Sequence, residues 1–392
     1  MNKNIPNNLC TACGACVQAC PKQCITFTLN EHLEKIPTIN KAACIDCGYC
    51  EKVCHLNRKS SIDTNKIEAY ACISEDKEVM KQVTSGGAFD AIAKYVLSKN
   101  GVVYGCAYQN HLEVKHIRVD SVNGLSQLYG SKYVQSDTGE TYRQAQKDLK
   151  DGLFVLYSGT PCQIAGLKAF LGKEYTNLLT VDLVCHGTPP AAYFDKYVRG
   201  YEKKYGVSLY KVAFRDKKNK SSCGSGYIYV EQNGKSYGRK TYYFKNWYYF
   251  YFLRGSIYTQ GCYSCKYANL NRPGDFTLGD CWGSEKFNLP FSDANGCSLV
   301  LVNTEKAQGI FSSLPLEKHP ISIVQACKYN GQLVEPTAQP PNSNQLKMDI
   351  CRLGFDEIEK EFKKKYRKAI LFGQIKKATP NFIKKFVKKI RR

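Results

Sequence analysis

The sequence predicts an α+β fold: a small N-terminal domain over residues 1–58, a larger mixed α/β body over 67–350, and a basic amphipathic helix within 355–392. Three observations predict it. Cysteines recur as CxxCxxCxxxC twice within the first 54 residues; strand-like apolar runs alternate with helical ones from residue 68 onward; and residues 363–392 hold 13 Lys/Arg and no acid.

In the first domain, Cys10, Cys13, Cys16 and Cys20 precede Pro21, and Cys44, Cys47, Cys50 and Cys54 repeat the spacing with His55 in the proline's place. Three thiolates on one tight loop can cap three corners of a cubane, and the fourth reaches the neighbouring cluster, as in two-cluster ferredoxins. This predicts two 4Fe–4S clusters with crossed ligation: Cys10, Cys13, Cys16 and Cys54 for one, Cys44, Cys47, Cys50 and Cys20 for the other. Gly14 and Gly48 lie inside the loops, where backbone must approach inorganic sulfur. Zinc modules, by contrast, pair two CxxC units. Cys24 reads as a core residue rather than a ligand.

The polar stretch 57–66 reads as a linker. Beyond it, 68–76 reads as a strand, 85–101 as a Gly-rich turn feeding a helix, and GVVYGCAY with VKHIRVD as a strand pair. Residues 153–167 and 178–190 each read as a buried strand, a turn and a helix start, with Cys162 and Cys185 just past the strands' carboxyl ends, where open sheets place ligand sites. The aromatic run 246–258 reads as a core helix. Cys262 and Cys265 form CYSC, and with Cys162 and Cys185 they make a four-cysteine set from three segments that could hold a third cluster. SGG at 85–87 and GSKY at 130–133 are candidate phosphate turns, and His186 is a candidate proton donor or a structural histidine.

The formal charge is +22; setting aside the thirteen cations of 363–392 leaves +9 on the first 362 residues. Each Cys₄ cluster of the ordinary oxidised type would remove about two more. The strong basicity is therefore a property of the tail, and a nucleic-acid partner is not expected. Beyond Thr379 and Pro380, Phe382, Ile383, Phe386, Val387 and Ile390 form one apolar stripe with lysines opposite, a pattern suited to an anionic membrane surface. Forty-three per cent hydrophobic residues exclude wholesale disorder, and neither a secretory leader nor an apolar run of about 18 residues is found. The expected location is cytoplasmic, peripheral at the inner face of the membrane. The 20 cysteines then indicate metal or redox chemistry rather than disulfides.

SGG (85–87), GSKYVQS (130–136), GTPCQIAGL (159–167), VDLVCHG (181–187), FRDK (214–217), CYSC (262–265) and DFTLGDCWG (275–283) occur in one order that resembles the coenzyme F-420 hydrogenase/dehydrogenase beta-subunit family, in a form fused to a dicluster ferredoxin domain. The resemblance spans roughly residues 8 to 350 and implies an iron–sulfur flavoprotein. It implies a 4Fe–4S cluster on Cys162, Cys185, Cys262 and Cys265, and FAD contacts from Ser85, Gly86, Gly87, Gly130, Ser131, Lys132 and Thr160. Two departures touch the substrate pocket: Cys281 replaces an aromatic residue in GDCWG, and no tryptophan follows FRDK closely. The implied activity is electron transfer from an external donor such as ferredoxin, through the clusters and FAD, to an unidentified acceptor, with surface-polysaccharide synthesis as the implied setting. The alternative is an electron-transfer subunit without its own substrate that docks on a partner oxidoreductase.

Overall fold

The computed structural model describes residues 9–58, 66–217, 219 and 224–378. Its N-terminal domain contains two short helices, Ala15–Ala19 and Tyr49–Lys52, and a hairpin of β1 (Ile25–Leu29) and β2 (Lys35–Ile39). The body is organised by β3 (Glu68–Ser74), β4 (Val102–Tyr108), β5 (Val114–Val119), β6 (Val155–Gly159) and β7 (Leu178–Leu183), with β11 (Phe276–Asp280), β12 (Ser298–Val302) and β13 (Leu316–Ile321) completing one sheet. The strand order is β13-β3-β12-β11-β7-β6-β4-β5. β4, β6, β7 and β11 are parallel at the centre, and antiparallel strands close both edges.

The central strands read as near-continuous apolar runs because helices cover both faces. Every residue of β6 and of β12 is buried. On one face Ile92, Val96, Leu156, Leu179 and Val300 pack together; on the other Tyr104, Tyr157, Ile164 and Leu167 do so. Ala15 and Val53 of the N-terminal domain belong to that second cluster, so the two domains share a core.

The expected strand–turn–helix units are present at 155–171 and 178–205. Thr160 and Gln163 form a capping box and Pro161 opens the helix Pro161–Leu171, which fixes Cys162 in its first turn. The aromatic run is a core helix, as its composition indicates: Trp247 through Phe252 are all buried, among Tyr193, Phe194 and Tyr197. A second sheet was missed in the sequence: β8 (Ser208–Ala213), β9 (Ser225–Gln232) and β10 (Lys235–Tyr242), antiparallel in the order β10-β9-β8. Its signal is the Asn233-Gly234 loop, both residues at positive φ, a pair strongly favoured in two-residue hairpins.

Helix Phe355–Lys365 buries Ile358 and Phe362 in the aromatic core, so this part of the expected tail belongs to the body. Helix Arg367–Ala378 follows, with Leu371, Phe372 and Ile375 exposed. The apolar stripe from Phe382 to Ile390 lies outside the described residues. Among the described residues, no helix is long and apolar enough to cross a membrane.

Candidate metal centres and the adjoining cleft

The two N-terminal motifs adopt matching backbones. Ala12 and Asp46 are both left-handed, as are Gly14 and Gly48, each glycine starting a short helix that carries the motif's third cysteine. Two loops with this shape can each present three sulfurs to a common centre. The fourth cysteines are exchanged: Cys54 lies among Cys10 and Cys16 of the other motif. Cys20 is drawn towards the second motif, its sulfur 3.4 Å from that of Cys24, which in turn lies against Cys44. Cys24 is buried beside Ile25, as expected of a core residue, yet it also touches this sulfur group. Cys47 is exposed.

The body's four cysteines converge from three segments. Cys162 and Cys185 each neighbour both Cys262 and Cys265. Burial, then the neighbouring sulfurs, pushes the Cys162 thiol up to about 12 despite the Thr160 hydroxyl beside it, and the Cys185 thiol well above its ordinary value. Burial likewise pushes Cys16 up to about 12, with Cys10, Cys54 and Cys50 adding repulsion. Buried sulfurs this close repel one another as thiolates, and a metal cluster supplies the missing positive charge. Donors are in place: the Thr188 amide is 3.5 Å and the Thr259 hydroxyl 3.0 Å from the Cys262 sulfur. Among the described residues no group of three or more His, Cys, Asp or Glu side chains is arranged to hold a metal ion. Charge, donors and loop shape fit iron–sulfur clusters at both places.

The two cysteine regions abut. A Cβ added to Gly166 would meet the Cys13 sulfur at 2.8 Å, so only glycine lets the Pro161–Leu171 helix approach this loop. Thr138 donates to the Cys13 carbonyl, Gln18 accepts from the Tyr142 amide, and Glu34 pairs with Lys347 at 2.9 Å with both side chains buried. On the body side, the buried Arg272 binds Asp182 in β7 at 2.8 Å and also the carbonyls of Tyr267 and Leu183. It thereby ties the strand before Cys185 to the loop after Cys265. These two ion pairs leave no local trace in sequence. His55, expected only to replace a proline, is buried against Tyr267. Burial lowers its pKa to about 3, with Lys266 contributing, which keeps the imidazole neutral.

Beside the body set five motifs meet. Arg215 of FRDK pairs with Asp280 of GDCWG at 2.7 Å and donates to Ser131 of GSKY at 3.1 Å. Lys217 donates to the Ser85 carbonyl of SGG, and the exposed His186 neighbours Asp280 and Arg215. Cys281 is buried next to Cys297 and Cys72, while Trp282 is exposed.

The expected flavin residues contribute to this meeting point unevenly. Gly87, at positive φ, opens helix Ala88–Leu97, whose first turn no side chain caps, and Gly130 is exposed at positive φ. Ser85 donates to the Cys297 carbonyl, the Gly86 amide donates to Ser298, and Thr160 serves in its capping box. Lys132 turns away altogether: its ammonium donates to the carbonyls of Cys106, Gln127, Leu128 and Tyr129, and burial lowers its pKa to about 8. Lys217 and Arg215 are likewise engaged within the fold, so what these motifs leave for an anion is the backbone at Gly87 and Gly130, with Lys132 bracing the loop.

Two family models match parts of the chain. Residues 9–57 match the family described as 4Fe-4S dicluster domain, and residues 154–322 match the family described as the C terminus of the coenzyme F420 hydrogenase/dehydrogenase beta subunit. No curated protein matches. Among solved structures, a chain of the F420-reducing [NiFe] hydrogenase complex from Methanosarcina barkeri (a xenon derivative) is similar, at 16% identity and a TM-score of 0.44 over 77% of this chain and 91% of that one. The chain thus joins a segment similar to 4Fe-4S dicluster domains to a body segment related to the C terminus of the coenzyme F420 hydrogenase/dehydrogenase beta subunit.

Proposed function

We propose that the chain is an iron–sulfur flavin oxidoreductase: an external ferredoxin-type donor delivers electrons to the N-terminal sites, and they reach an acceptor where the five motifs meet, by way of the Cys162, Cys185, Cys262 and Cys265 set. The observation that carries this is the convergence of those four cysteines beside Cys13. When bound, clusters carry single electrons and FAD gathers pairs of them for hydride chemistry. The chain's own part is to hold and insulate. Thr188 and Thr259 donate to a ligand sulfur, and the uncapped start of helix Ala88–Leu97 suits an anion. A reductive step in surface-polysaccharide synthesis is the setting we favour.

Anaerobic purification tests this. About twelve irons per chain are expected for three four-iron clusters, with one FAD. Cys54→Ser should damage the cluster of Cys10, Cys13 and Cys16; loss of the Cys44, Cys47 and Cys50 cluster alone refutes the crossing. No iron on Cys162, Cys185, Cys262 and Cys265 refutes the body site. The engagement of Lys132 and Ser85 within the fold favours a second reading, an electron-transfer subunit docking on a partner oxidoreductase. Absence of FAD and of turnover by the isolated chain would establish that reading.

We also propose peripheral binding to an anionic membrane through the basic tail, supported by the exposed Leu371, Phe372 and Ile375 beside Lys376 and Lys377. The full chain should float with anionic liposomes, and a chain ending at Ala378 should float less; equal flotation refutes the tail's part.

A further inference from the structure

His55 follows the last cysteine of the second motif, where the first motif has Pro21. A proline there offers no polar side chain, whereas both imidazole nitrogens are used. Nε2 is 3.0 Å from the Thr11 hydroxyl, and Nδ1 is 2.7 Å from the Tyr267 hydroxyl. The histidine is 3% exposed and the tyrosine 4%, so bulk water does not compete for these bonds. The Thr11 side chain also lies beside the Cys162 sulfur. Tyr267 stands two residues past Cys265 and is within electrostatic reach of Cys162 and Cys265 on one side and of Cys13 and Cys54 on the other.

Whichever ring nitrogen carries the proton, that nitrogen donates and the other accepts, so both hydroxyls are held by the one imidazole. His55 itself is joined to Cys54 through the peptide bond. From Cys54 the path therefore divides, one arm crossing Thr11 to Cys162, the other crossing Tyr267 to the Cys265 loop.

We propose that His55 is the node of a hydrogen-bonded bridge coupling the N-terminal site that includes Cys54 to the body site that includes Cys162 and Cys265. The proposal rests on the reading that both sites hold clusters. These are positioning residues: electron tunnelling weakens steeply across van der Waals gaps, and the hydrogen bonds of His55 to Thr11 and to Tyr267 replace two such gaps. One electron crosses per event, lost by the donor site and gained by the acceptor site, with no bond made and no proton transferred.

The test uses the full-length, anaerobically loaded protein. Thr11→Val and Tyr267→Phe are close to isosteric and each removes one hydroxyl; Thr11→Ser restores one. Flash photoreduction followed by freeze-quenched electron paramagnetic resonance reads the rate of electron equilibration between the sites. That rate should fall about tenfold in each of the first two variants, as loss of a supporting contact around a metal site commonly produces, and should recover in Thr11→Ser. Iron content and the inter-site distance from pulsed resonance should match the wild type. A wild-type rate in the fully loaded double variant overturns the bridge, and so does loss of iron in place of a slower rate. Iron is counted first, so a wild-type protein lacking body-site iron overturns the underlying reading instead.

Discussion

Replacing Arg272 with methionine should be among the most costly single changes in the body. The guanidinium is 1% exposed and its partner Asp182 is fully buried. Nε and Nη2 approach the same Asp182 oxygen at 3.1 and 2.8 Å, while Nη1 and Nη2 serve the Tyr267 and Leu183 carbonyls. Methionine fills much of the volume but leaves the carboxylate with the Gly274 amide alone among these contacts. An uncompensated buried charge costs about 3–5 kcal/mol, a hundredfold to several-thousandfold rise in the unfolded population. Pulse proteolysis across a urea series reads that change directly. Arg272 also holds the segments bearing Cys185 and Cys265, so body iron should be lost before N-terminal iron. The double variant Asp182→Leu with Arg272→Met should recover most of the loss, since removing both charges removes the orphan. A loss under about 1 kcal/mol, the range of exposed pairs, would show that water reaches the site and would refute the argument.

Gly166→Val should cost about 1–3 kcal/mol, because the new side chain overlaps the Cys13 sulfur and the Tyr142 hydroxyl; it should also lower N-terminal iron per chain, and full iron with unchanged stability would show that the helix moves aside freely. Lys347→Met leaves the buried Glu34 with the Gln260 amide, so amide exchange in β1 and β2 should rise sharply, while Lys347→Met with Glu34→Gln should exchange more slowly than the single variant. Burial lowers the His116 pKa to about 4 against an ordinary 6.5, so the folded state resists protonation. Its stability contribution is complete above pH 6.5 and falls by about 3 kcal/mol as pH drops towards 4. His116→Gln should flatten that part of the stability–pH curve, and an unchanged slope would assign it elsewhere.

What was legible in the sequence was whatever has a local signature. Eight cysteines at fixed spacing mark a loop shape that few other sites need, and Thr160-Pro161 marks a helix start that places Cys162. The body set was harder: Cys162, Cys185 and the CYSC pair come together only through the parallel order of β6, β7 and β11, which no spacing encodes. Lys132 shows the opposite failure. A lysine beside a glycine turn suggests a phosphate ligand, yet four nearby carbonyls bind the same ammonium equally well, and which partner wins is decided by the loop's path. Arg272 with Asp182, Glu34 with Lys347 and the His55 contacts had no signature, since each joins residues far apart whose neighbours are ordinary.

The contact between Glu34 and Lys347 sets an order of events during synthesis. The two residues are 313 positions apart. At roughly 5–20 residues per second the lysine emerges about 15–60 s after the glutamate, and the helix that covers Cys13 emerges between them. Until that helix docks, the loop bearing Cys13 is accessible to iron and sulfide donors. Once Lys347 is in place and the hairpin is pinned, Cys13 lies beneath Gly166. A chain that closes without its metal must return two buried charges to water before the Cys13 loop can be loaded, whereas the exposed Cys47 leaves the second motif open to iron at any time.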